Sequence, residues 1–157
     1  MIEEIYNYFT IDMLYYWVNF GVLPFWLILI FFPNSNLLRY FVTSILPILI
    51  LSGSYIFVLY KSYLNSYDFI NNFTLYLGID YLSELFSDKS YLVMFWIHFV
   101  SINLFTGGWM VKDSQKFSIN KIILAIPLIL TYLIGPIGLF LYWSIRIFYA
   151  KNINLYD

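Results

Sequence analysis

The chain has no cysteine, a single histidine and only 11% charged residues across its 157 positions. Without cysteine there is no disulfide, no thiolate nucleophile, and no cysteine-held zinc or iron–sulfur cluster. One histidine is too few for a multi-histidine metal site, so no metal and no cofactor is expected. A net charge of -1 gives no general attraction to nucleic acid. Soluble domains carry about a quarter charged residues. Here 62% of residues are hydrophobic and mean hydropathy is +0.77. The composition therefore calls for a bilayer as solvent.

What is present is a series of long apolar stretches. The spacing predicts an all-α integral membrane protein in one domain, residues 1–157, with four transmembrane helices in a bundle. The spans are expected at about 13–32, 37–60, 91–111 and 122–149, each near the ~20 residues a crossing helix needs. Pro33-Asn34-Ser35-Asn36 closes the first span, and Pro47 is expected to kink the second. Residues 68–87 fit no span. Ile79, Leu82, Leu85 and Phe86 recur there at helical spacing opposite Asp80, Ser83 and Glu84, which predicts an amphipathic helix along the interface. Ser87 or Asp88 would cap the third span. Gly135-Pro136 should bend the fourth, because Pro136 cannot donate to the carbonyl of Tyr132.

The acidic N-terminus lacks the basic region of a secretory signal, so the first apolar segment is expected to remain in the mature protein. With four spans, Lys61, Lys89, Arg146 and Lys151 fall on the face of the termini, and Arg39, Lys112, Lys116 and Lys121 on the other. The positive-inside count is tied. Eight of the acids, Glu3, Glu4 and Asp157 among them, share the terminal face, which favours termini outside a multi-pass inner-membrane protein.

The third span carries His98 and Asn103 in its interior, and polar groups at membrane depth are costly enough to be functional candidates. Counting 1.5 Å per residue from the terminal face places Asn19, Ser52, Ser54 and Tyr142 at the depth of His98. His98 would be the layer's acid–base group, since imidazole is the side chain whose ordinary titration lies near neutrality. The alternative is that these groups only join helices by hydrogen bonds. Asn103 is better placed to meet the bent fourth helix than to orient His98, and Thr106 would extend that contact. Asp113 beside Lys112 is expected as a solvated ion pair. Arg146 should snorkel to the surface, or hold a polar group of a ligand near the flap. No phosphate-binding glycine loop, serine elbow or helical histidine pair is present.

Five blocks carry a family resemblance: LPFWLILIFFP at 23–33, LFSD at 85–88, WIH at 96–98, NLFTGGW at 103–109 and GPIGLFLY at 135–142. In that order the chain resembles the abscisic-acid-deficient-four-like family of membrane proteins. The resemblance implies a role in carotenoid or isoprenoid modification of the epoxide-opening isomerisation type, with a carotenoid or isoprenoid as ligand and His98 as acid–base residue. It also leaves a non-catalytic bundle that binds lipid or pigment, or supports a membrane partner enzyme or a second copy, as the competing reading. A small transporter is a third. One departure matters: the family pattern has Asp-Leu-Phe where this chain has Asn103-Leu104-Phe105, so a carboxylate that would accept a proton is missing.

Overall fold

The computed structural model describes residues 9–154, so Glu3, Glu4 and Asp157 lie outside the described residues. No strand occurs among these residues. In chain order the elements are α1 (Ile11–Phe31), a π-helical turn (Leu38–Val42), α2 (Leu46–Leu64), a 3-10 segment (Phe69–Tyr76), α3 (Ile79–Ser87), α4 (Lys89–Lys116), α5 (Lys121–Ile134) and α6 (Pro136–Ala150). Three stretches are long and apolar enough to cross a membrane: Ile11–Phe31, Leu38–Leu64 and Lys89–Lys116. Many of their large apolar side chains point outward, including Phe20, Phe31, Ile56 and Phe105. Acyl chains tolerate such a surface and water does not.

The chain divides into two compact units. Unit 1 comprises Met1–Gly21 and Leu49–Phe99; unit 2 comprises Val22–Ile48 and Val100–Asp157. In unit 1 the buried apolar side chains are Leu14, Val18, Leu51, Val58, Leu85, Val93, Met94 and Ile97. Residues 68–87 form the 3-10 segment followed by α3, opened by Asp68, whose carboxylate accepts from the Ile70 N–H at 2.9 Å. Of the α3 stripe, Leu85 is buried and Ile79 is exposed. Asp88 caps α4 by accepting from the Tyr91 N–H at 2.8 Å. Its carboxylate satisfies one of the amides that every helix start leaves without a partner. Asn19 links α1 to α4: its carbonyl accepts from Trp96 Nε1 at 3.2 Å and its amide donates to the Tyr15 carbonyl at 2.6 Å.

Unit 2 departs from expectation in two places. Pro47 does not kink a helix; it is the second residue of α2. A proline in the first turn removes only an amide that has no helical partner. The interruption falls earlier, where the Thr43 N–H reaches back five residues to the Leu38 carbonyl at 2.9 Å and residues 43–45 are non-helical.

The second departure is larger. The helix expected over 122–149 is two helices, α5 and α6, which pack against each other. Gly135 joins them at φ +58° and ψ −89°, a conformation that side-chain-bearing residues rarely adopt. Its N–H closes α5 on the Thr131 carbonyl at 3.0 Å, and its carbonyl opens α6 by accepting from Leu139 at 3.1 Å. Pro136 follows as the first residue of α6, so its missing N–H costs no helical bond. With 14 and 15 residues, each helix is about 21–23 Å long at 1.5 Å per residue, short of the ~30 Å hydrocarbon core. Proline and glycine here reverse the chain rather than bend a span.

Close backbone approach makes the reversal compact. A Cβ on Gly138 would collide with the Thr131 amide and hydroxyl and with the Pro127 carbonyl. Thr131 is buried and returns its own hydroxyl to that Pro127 carbonyl at 2.8 Å. Gly138→Ala should therefore destabilise the protein by about 1–3 kcal/mol, the usual cost of overpacking. Gly21→Ala, where an added Cβ meets nothing within 4 Å, should leave stability nearly unchanged. Thermal unfolding in detergent compares the two, and equal melting temperatures would contradict this packing.

Candidate functional site

His98 occupies an exposed position on α4 and has no hydrogen-bond or ion-pair partner among the described residues. The expected polar layer around it does not assemble as a buried cluster. Asn19 spends both ends of its amide on Trp96 and Tyr15. Ser54 donates to its own helix, at the Ile50 carbonyl, and Ser52 is exposed. Tyr142 is in unit 2, because the chain has turned back at Gly135 before reaching it. Depth counting treats 122–149 as one crossing span bent at Gly135-Pro136, whereas the chain reverses there.

Unit 2 instead buries a cluster whose members are separated by 29 and 33 residues in sequence. Asp113, 3% exposed, accepts from the Tyr142 hydroxyl at 2.7 Å and from Arg146 Nε at 2.7 Å through the same oxygen, Oδ2. Arg146 Nη2 lies 3.5 Å from the second carboxylate oxygen. The guanidinium also lies over the rings of Phe117 (4.7 Å) and Trp143 (5.0 Å), and Nη1 donates to the Asn152 carbonyl at 3.4 Å. Asp113 is thus no solvated partner of Lys112, and Arg146 does not reach the surface: it is 1% exposed. Each charge is met by an opposite charge and by further hydrogen bonds, the condition for carrying an ion pair in low dielectric. Sequence reading missed the pair because the partners become neighbours only through the reversal.

Asn103 sits higher on α4, against the reversal itself. A Cβ on Gly135 would stand 2.7 Å from Asn103 Oδ1. Asn103 is buried, and its Nδ2 has no partner among the described residues. Thr106, one turn on, is half-buried. Gly107 continues the close packing, since a Cβ there would be 2.9 Å from the Trp26 ring.

On another face of α4, still within unit 2, lies a cavity of about 500 Å³, inside the range of small-molecule sites. Val42, Thr43, Ser44 and Ile45 wall one side, and Leu104, Phe105, Gly108 and Trp109 the other, with Lys112 as the single charged lining residue. The non-helical residues 43–45 that follow the π-helical turn form part of this lining. Such turns mark functional positions more often than ordinary helix does. Gly108 keeps the space open, since a Cβ there meets nothing within 4 Å. Ile45 and Phe105 are 77% and 66% exposed, so the cavity has lips turned to the surrounding medium. Trp109 connects it with the buried cluster: its ring meets Tyr142 edge-on at 5.6 Å and stacks on Trp143 at 6.1 Å.

No group of three or more potential metal ligands occurs among the described residues. The cavity's apolar lining and the single Lys112 ammonium match an apolar molecule that carries an oxygen.

Asp113→Asn should destabilise the fold by about 3–5 kcal/mol, because it strands the buried Arg146 charge. Adding Arg146→Met to that variant should recover part of the loss. Unfolding of both variants in detergent measures the coupling, and purely additive losses would show that the pair is not a unit.

The family described as ABA DEFICIENT 4-like matches residues 13–142 of the chain. No curated protein and no solved structure matches it.

Proposed function

Because this chain belongs to the ABA DEFICIENT 4-like family, we propose that it is a membrane protein that binds one end of a carotenoid or related isoprenoid and takes part in its modification. The observation that carries this reading is the cavity of unit 2, with apolar walls, outward-turned lips and Lys112 alone among charged lining residues. Such a cavity suits a ligand that arrives dissolved in lipid and carries an oxygen at its end. Lys112 would donate to that oxygen, and Trp109 would lie against the apolar body.

The epoxide-opening isomerisation implied by the resemblance needs a proton delivered to the oxygen and one removed from a neighbouring carbon, so that a single group that gives a proton and takes one back balances the step. His98, exposed and without a hydrogen-bond partner among the described residues, would serve only a substrate lying along the outer surface. Lys112 is the one titratable group lining the cavity. The reading therefore places recognition at the cavity, with Lys112 rather than His98 at the oxygen. Asn103 and Arg146, expected as ligand contacts, act in this reading on the protein itself, through Gly135 and Asp113.

Expression in carotenoid-producing hosts tests it. The unaltered protein should change the pigment profile; Gly108→Leu, which fills open space, should abolish the change while leaving the melting temperature intact. Lys112→Met should weaken the change severalfold, and His98→Ala should retain it. No change with the unaltered protein in several hosts, or full activity with Gly108→Leu, would overturn the reading. Pigment that co-purifies unaltered, and is lost in Gly108→Leu, would favour the non-catalytic pigment-binding alternative.

A further inference from the structure

The reversal at Gly135 decides which membrane face the end of α6 shares. α5 leaves the end of α4 through a short turn at residues 117–120, and α6 comes back to that end. Three contacts register the return: Asn103 against Gly135, Met110 Sδ at 3.5 Å from the Thr131 hydroxyl, and Asp113 bound to Tyr142 and Arg146. Asn103 to Asp113 is about 15 Å along α4, and Gly135 to Arg146 about 16 Å along α6, so α6 runs alongside α4 in the same direction. Asn103 is near the middle of α4, and the tip of the reversal is beside it. The turn after α1 belongs to the same end of unit 2, for Gln115 Nε2 donates to the Pro33 carbonyl at 2.8 Å and lies 3.3 Å from Asn34 Oδ1.

We propose that α5 and α6 form a re-entrant hairpin, entering the bilayer from one face and returning to it, and that this face is the cytoplasmic one. The chain then crosses three times, so the start of α1 and the end of α6 lie on opposite faces.

Charge supplies the orientation. Of the eight basic residues, Arg39, Lys112, Lys116, Lys121, Arg146 and Lys151 are in unit 2, and Lys61 and Lys89 are in unit 1. Arg146 is neutralised by Asp113, which leaves five exposed cations around the hairpin's end of the chain. Asp113 is the one acid among the described residues of unit 2, whereas unit 1 holds Asp12, Asp68, Asp80, Glu84 and Asp88. Lysines and arginines near the ends of spans stay on the cytoplasmic side during insertion. The tie that four crossings produce becomes a clear excess when the last two helices return to their starting face. This orientation rests on the hairpin and the cations and requires no ligand.

The native chain has no cysteine, so single introduced thiols report on single positions. Asn36→Cys, Asn71→Cys, Ser118→Cys and Asn154→Cys are to be treated with a membrane-impermeant maleimide in intact and in permeabilised cells. The expected result is that position 71 labels in intact cells and positions 36, 118 and 154 label only after permeabilisation. Labelling of 154 but not 118 in intact cells means a fourth crossing and overturns the hairpin. Labelling of 36, 118 and 154 in intact cells, with 71 protected, overturns the cytoplasmic assignment. Fusions after Asp157 give a second reading that needs no substitution. A cytoplasmic fluorescent reporter should be active there and a phosphatase that requires export inactive; the reverse pattern overturns the proposal.

Discussion

One carboxylate holds the C-terminal third of this protein in shape. Asp113 takes a hydroxyl and a guanidinium through a single oxygen, and both donors come from the helix that follows the reversal. Without the reversal, Arg146 would be near the far end of a long straight helix, far from any acid in unit 2. Without the carboxylate, the reversal would bring an uncompensated cation into an apolar interior. The turn at Gly135 and the ion pair are therefore one feature, and the small residues between them set how closely the helices of that feature approach. Gly138 lets α6 meet α5 at backbone distance, and Thr131 satisfies its hydroxyl on its own helix without disturbing that contact.

Two neighbouring glycines on α4 show how finely the surface of that helix is divided. Gly107 is filled by the Trp26 ring and belongs to the packed side; Gly108 faces open space and belongs to the cavity. Trp109, next in sequence, touches both the cavity and the ring of Tyr142. One turn of helix thus carries the packing contact, the binding space and the aromatic partition between cavity and ion pair. Residues 43–45, which leave the helix, line the same cavity.

Much of this architecture is legible in the sequence. Apolar runs locate the long helices, the amphipathic pattern at 79–86 locates α3, and the place before an apolar run marks Ser87 or Asp88 as the cap, of which the structure uses Asp88. The contact of Asn103 with the Gly135 region was also within reach, since both mark the middle of their segments. What sequence reading could not supply was direction. A proline after a glycine in an apolar stretch signals a bend or a full reversal equally well, and only the tertiary partners of Tyr142 and Arg146 distinguish them. The depth assigned to Tyr142 failed for that reason, as did the solvated fates expected for Asp113 and Arg146. For His98 the missing quantity was rotation about the helix axis, which one polar residue in an apolar segment does not specify.

The unmade backbone bonds at the hairpin tip carry a consequence for where the pair can sit. The last carbonyls of α5 and the first amides of α6 have no partner within their own helices, and the turn that joins them lies against Asn103; bare lipid would offer them none. A pair of half-length helices cannot be released into the bilayer as an ordinary crossing segment. In the re-entrant arrangement proposed above, the pair is seated against α4, so residues 121–150 depend on that helix for their place in the bilayer.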